Sequence, residues 1–131
     1  MMKTDQYYST LSFEVNDKEL KASVVINREH PIHNGHFPEQ PVVPGVMQLQ
    51  IVKELLESMV QSPLVMRNMP QTKFLNMIIP DEEPINIHLQ YKTTEEGSFG
   101  VDASLSKHGQ TTTKIKALYQ LKNESFNQKS A

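Results

Sequence analysis

The stretch Glu29–Gln50, EHPIHNGHFPEQPVVPGVMQLQ, carries His30, His33 and His36 at three-residue spacing. An imidazole titrates near neutral pH and can both accept and return a proton, so these residues suit acid–base chemistry or metal ligation. Ligation by all of them is the weaker reading. Helical spacing would bring neighbouring pairs together, but Pro31, Gly35 and Pro38 disfavour a helix here, and no established zinc spacing is present. The chain has no cysteine, which excludes disulfides and thiolate-held zinc. A polar loop and a loop bearing one catalytic base both remain open at this point.

The elements that must position such a loop can be read on either side of it. Upstream, LSFEVN alternates, with Leu11, Phe13 and Val15 on one side, and LKASVVIN follows the turn-prone NDKE; together they predict a hairpin. Downstream, Val46 to Val60 has the spacing of a helix: Val46, Leu49, Val52, Leu56 and Met59 form a stripe that Met47, Ile51 and Leu55 widen. Pro44 and Gly45 stand at its start, where a missing or free N–H costs no intrahelical bond. A helix apolar over more than one face is expected to be largely buried. Four strand-like runs follow, TKFLNMII, INIHLQYKTT, FGVDASLSK and TTTKIKALYQLK, separated by PDEEP, EEGS and HGQ. The order β–β–α–β–β–β–β is an α+β pattern, an antiparallel sheet around one long helix.

The 131 residues fit one domain, with a core over about 11–122 and polar tails. The net charge of −2, with Lys and Arg scattered, argues against a general nucleic-acid binder. The start, MMKTDQYYST, has no apolar stretch of signal-peptide length, and no run approaches the roughly 20 residues needed to span a membrane. The expectation is a soluble cytoplasmic protein.

GHFP followed by PVVPGV and an apolar helix resembles the signature of the β-hydroxyacyl-acyl-carrier-protein dehydratases. Their fold is the hotdog, a curved antiparallel sheet wrapped around a central helix, which matches the element order above. The resemblance implies removal of water from a 3-hydroxyacyl thioester, without metal or cofactor. It makes His36 the base that takes the C2 proton, and Gly45 the residue whose N–H faces the thioester carbonyl. A helix N-terminus suits that second task, since its unpaired amides and positive potential favour charge building on oxygen. Phe37 and Pro38 would shape the loop, and Pro41 and Pro44 would stiffen it. His30 and His33 match no catalytic position, and His33 is expected along the approach to the site.

At the helix position fourteen residues after His36 the family carries Glu, or Asp in related enzymes; here it is Gln50. PGVMQLQ also resembles an aryl-polyene-type branch that has Gln at the Gln48 position and keeps Asp at 50. An amide has no proton to give at neutral pH, and a positioned general acid is worth about 10² to 10⁴ in rate. Glu54, one turn on and about 6 Å along the axis, and Glu39 in the loop are the carboxylates that could take over. His36 shuttling the proton itself is the other route. Competing readings are a thioesterase or enoyl isomerase on the same fold, or an acyl-binding subunit dependent on a partner.

The resemblance further implies an acyl carrier protein or coenzyme A thioester as substrate. It implies at least a homodimer, and in larger assemblies a trimer of dimers. Subunits pair edge to edge, with the base from one chain and the helix residue from the other. Phe37, Val42, Val43, Met47 and Phe74 are expected to line an acyl tunnel or pack the core. A carrier protein is acidic, so Arg28, Lys53, Arg67 and Lys73 are candidates for its docking face.

Overall fold

A computed structural model describes residues 6–34, 41–68 and 70–122. Seven strands and one long helix appear among them: β1 (Tyr8–Asn16), β2 (Glu19–Ile26), α1 (Gly45–Val60), β3 (Leu64–Met66), β4 (Gln71–Phe74), β5 (Ile85–Thr93), β6 (Phe99–Lys107) and β7 (Gln110–Leu121). A 3-10 turn, Pro31–Asn34, leads toward the helix. The strands form one antiparallel sheet in the order β1-β2-β5-β6-β7-β3, with β4 also paired to β7. This is the hotdog architecture.

Period-two alternation sets the inner face. Leu20, Ala22, Val24 and Ile26 of β2, Ile87 and Leu89 of β5, and Val101, Ala103 and Leu105 of β6 are buried, while His88 and Gln90 face outward. Against them α1 buries Ile51, Val52, Leu55 and Leu56. The helix ends as Gln61 enters the left-handed region at φ 60° and its N–H bonds the Glu57 carbonyl. The two-residue β6–β7 turn has positive φ at both His108 (54°) and Gly109 (74°), the geometry a tight hairpin demands.

Several expectations need correction. The run expected to be one strand over 72–79 leaves the ladder after Phe74, because the N–H groups of Leu75 and Asn76 both turn to the Thr112 carbonyl. β3 was not anticipated: three residues are too few to show alternation. The apolar side of β1 is not covered; as the edge strand it leaves Leu11, Phe13 and Val15 exposed, and a bulge interrupts its register between Thr10 and Ser12. The helix is not buried all round either. Val46 is 68% exposed, whereas Gln48 is 3% exposed and belongs to the buried face.

Candidate active site

His36, Phe37, Pro38 and Glu39 lie outside the described residues, but the segments on both sides of them are fixed by named contacts. Upstream, His33 is buried within the 3-10 turn. Its Nδ1 lies 3.2 Å from the Arg28 carbonyl, an acceptor, so Nδ1 carries the proton. Nε2, 3.1 Å from the Tyr7 hydroxyl, is then free to accept from it. Tyr7 is itself buried, and burial pushes its hydroxyl well above the ordinary tyrosine range. His33 is therefore an interior anchor and not a residue along the approach, because both ring nitrogens are taken. The same engagement removes it from any metal site. His30 stacks edge-on to Tyr7 at 5.2 Å between ring centres and accepts the Ile32 N–H on Nδ1.

Downstream, the Val43 N–H bonds the Ile78 carbonyl at 2.8 Å. The buried Gln48 side chain donates to the Val43 carbonyl at 3.2 Å and accepts from the Thr113 hydroxyl at 2.5 Å. One amide thus ties the exit of the histidine segment, the first turn of α1 and the centre of β7 together. Pro44 is the N-cap residue and makes no side-chain capping bond. The Met47 and Gln48 amides bond the Pro44 carbonyl, and no side chain among the described residues caps those of Gly45 and Val46, which is the condition for holding an oxyanion there.

Two clefts flank this end of the helix. One, of about 550 Å³, is lined by Val42, Val43, Gly45, Phe74 and Met77 among others. The second, of about 440 Å³, is lined by Tyr8, His30, Met47, Gln50 and Glu54 among others. Of the residues expected to line an acyl tunnel, Val42, Val43 and Phe74 are thus gathered beside Gly45, and Met47 stands apart with Gln50. Val43 is core as well, being 4% exposed. The separation of Gly45 from Gln50 follows from helical geometry: five residues turn the side-chain direction by about 140°.

Within the second cleft, Gln50 Nε2 donates to Glu54 Oε2 at 2.7 Å, and the Tyr8 hydroxyl donates to Glu54 Oε1 at 2.8 Å. Burial first, then the bond to Glu54 and its charge, raise the Tyr8 hydroxyl far above the usual tyrosine value, so Tyr8 remains a donor. Sequence reasoning missed Tyr7 and Tyr8, whose partners lie 26 and 46 residues away. It also missed the role of Gln48, for which a signal existed: Gln48, Val52 and Leu55 share one helical face.

The proposed docking cations stand on separate elements. Arg28 follows β2 and is exposed, and Lys53 is half-buried on α1. Arg67 is paired with Glu96 at 2.7 Å. Lys73 lies on the outer sheet face, in a cavity of about 670 Å³ that Lys114 and Lys116 also line.

The fold defines the class: a hotdog protein, a curled antiparallel sheet around one central helix. Residues 12–116 match the ApeI-like family, described as ApeI dehydratase, and the chain belongs to that family. It is 32% identical over 77 residues to the 3-hydroxyacyl-acyl-carrier-protein dehydratase FabZ of Streptococcus agalactiae, covering 53% of this chain and 55% of that protein. FabZ of Streptococcus sanguinis is likewise 32% identical, over 79 residues, 55% of this chain and 56% of that protein. The chain spans about half the length of the curated relatives it matches. Among solved structures, the dehydratase heterocomplex ApeI:P from Xenorhabdus doucetiae superposes with a TM-score of 0.74 at 16% identity, over 86% of this chain and 96% of that one. A hypothetical thioesterase with coenzyme A from Streptococcus pneumoniae gives 0.63 at 10% identity, over 88% of each chain. Among the described residues no helix is long and apolar enough to cross a membrane.

Proposed function

We propose that this protein dehydrates 3-hydroxyacyl thioesters carried on an acyl carrier protein to trans-2-enoyl thioesters, with His36 as the base at C2 and the Gly45 amide facing the thioester carbonyl. The observation that carries the reading is the uncapped start of α1 at Gly45, opening on an apolar cleft nine residues after His36, in a chain of this dehydratase family. As C2 loses its proton, negative charge builds on the carbonyl oxygen; a helix N-terminal amide meets it without reorganisation.

The separation of the two clefts supports a site completed by a second subunit. A thioester held at Gly45 does not reach Gln50 of the same helix without passing around it, whereas Gln50 of a neighbouring chain is not so constrained. Val46, Phe74, Leu75 and Met77 are 68, 54, 52 and 78% exposed around that end of the helix, and β3 and β4 each pair only with β7 among the described residues. An apolar patch beside free strand edges fits edge-to-edge pairing with a second copy. The ApeI:P assembly is a heterocomplex, so a different chain is the alternative occupant.

The test is purified protein with 3-hydroxyacyl and trans-2-enoyl thioesters of several lengths, following enoyl absorbance and free thiol. Interconversion of the two thioesters is expected, abolished by His36→Ala. Thiol release without interconversion would replace the reading by a thioesterase, and full activity of His36→Ala would remove the assigned base.

A further inference from the structure

The geometry points to Glu54, held between Tyr8 and Gln50, as the group that exchanges a proton with the C3 oxygen, in place of an acid at position 50. This rests on the dehydratase reading above and extends it to a residue outside the family signature. Position 50 carries an amide, which cannot supply or take the proton at neutral pH. Yet its side chain is joined at 2.7 Å to a carboxylate one turn along the same face, and that carboxylate lines the same cleft. The chemistry missing at position 50 is present within one hydrogen bond of it.

Glu54 Oε1 accepts from the Tyr8 hydroxyl and Oε2 from the Gln50 amide. A carboxylate offers about four lone-pair sites; with one used on each oxygen, each retains one. In the hydration direction, water attacks C3 of the enoyl thioester. Its oxygen forms the C–O bond while its proton passes to Glu54 of the neighbouring chain, whose Gln50 cleft completes the site. The electron pair of the double bond takes a proton at C2 from the His36 imidazolium of the chain whose Gly45 holds the thioester. Atoms and charge balance: one water is consumed, Glu54 gains a proton and His36 loses one. Proton exchange with solvent then restores both groups. Dehydration is the reverse, with protonated Glu54 releasing its proton to the departing oxygen. Gln50 and Tyr8 hold the carboxyl group in place, and Gln50 retains a second N–H and its carbonyl for the hydroxyl itself.

The experiment measures kcat and KM for hydration of a trans-2-enoyl thioester by the wild type, Glu54→Gln, Gln50→Glu, the double variant Gln50→Glu/Glu54→Gln, and His36→Ala. Glu54→Gln is nearly isosteric and keeps an acceptor for Tyr8. It is expected to lose about 10² to 10³ in kcat, within the range for a general acid–base group, with KM within about twofold. Moving the carboxyl back one turn in the double variant is expected to recover at least tenfold, a rescue that a merely structural role for Glu54 would not produce. Glu54→Gln at wild-type kcat overturns the inference. So does a double variant no faster than Glu54→Gln. An inert wild type overturns the dehydratase reading and this inference with it, whereas an active wild type with inert His36→Ala and unaffected Glu54→Gln overturns this inference alone.

Discussion

The hydroxyl of Tyr7 lies 3.1 Å from Nε2 of His33, and both side chains are buried. The pair fastens the segment before β1 to the 3-10 turn that precedes His36, and the Arg28 carbonyl holds the opposite ring nitrogen. Removing the hydroxyl strands a buried acceptor, which costs about 1–3 kcal/mol. Tyr7→Phe is therefore expected to lower the unfolding free energy by that amount, read as a lower urea midpoint at unchanged m-value. Equal midpoints would show that the contact contributes nothing net.

The ring of Phe74 covers Gly45. A Cβ at position 45 would come within 2.6 Å of Phe74 Cζ and within 3.3 Å of two further ring carbons. The ring is 54% exposed, so it can swing aside, but it then gives up its packing on the helix start. Gly45→Ala is expected to destabilise by about 1–2 kcal/mol as overpacking, and to lower turnover by displacing the helix entry. Phe74→Ala added to Gly45→Ala should restore most of the stability. A double variant as unstable as Gly45→Ala alone would place the strain elsewhere.

Gln48 bonds Thr113 and the Val43 carbonyl inside the core. Gln48→Leu leaves the Thr113 hydroxyl and that carbonyl without this partner, for an expected loss of about 2–4 kcal/mol. Adding Thr113→Val removes one of the two stranded groups, so the double variant should be more stable than Gln48→Leu by about 1 kcal/mol. Strict additivity in the denaturation series would mean the two residues are not coupled.

How much of this was legible depended on the range of the interaction. The helix from Val46, the hairpin at NDKE and the strands of β5 to β7 follow from periodicity and turn residues, which are local. Their order gives an α+β antiparallel sheet around one helix, and the hotdog fold came from the resemblance carried by GHFP and PVVPGV. His36, Gly45 and Gln50 stood out through the resemblance of the proline-rich run to the dehydratase signature, which is a contiguous motif. The split of the 72–79 run was not legible, because Thr112 lies far along the chain from Leu75. Nor was the Tyr8–Glu54 contact, although Glu54 itself stood out by its distance from position 50. His33 looked like one of a series of equivalent imidazoles; only tertiary structure distinguishes it, by closing Tyr7 over one nitrogen and a carbonyl over the other.

Lys107 is 9% exposed, and its Nζ donates to the Ile79 carbonyl and to Asp81 Oδ1, each at 2.7 Å. Burial alone would raise the Asp81 carboxyl, but the Lys107 bond and charge, with the Glu83 N–H, outweigh it and hold the group below its ordinary range. The sign follows. A carboxyl whose folded value is depressed adds stability in full above its unfolded value, near about 3.9, and loses it as the pH falls through the folded value. Asp81→Asn removes this contribution and leaves the ammonium with the Ile79 carbonyl. Because Asp81 is 38% exposed and partly screened by solvent, the loss at pH 7 is expected at about 1 kcal/mol. Urea denaturation of the wild type and Asp81→Asn at pH 7 and at pH 3 checks it. The gap between them should narrow at pH 3, where the wild-type carboxyl begins to take up its proton. A gap of equal size at both values would mean that the ionised form of Asp81 is not what Lys107 depends on.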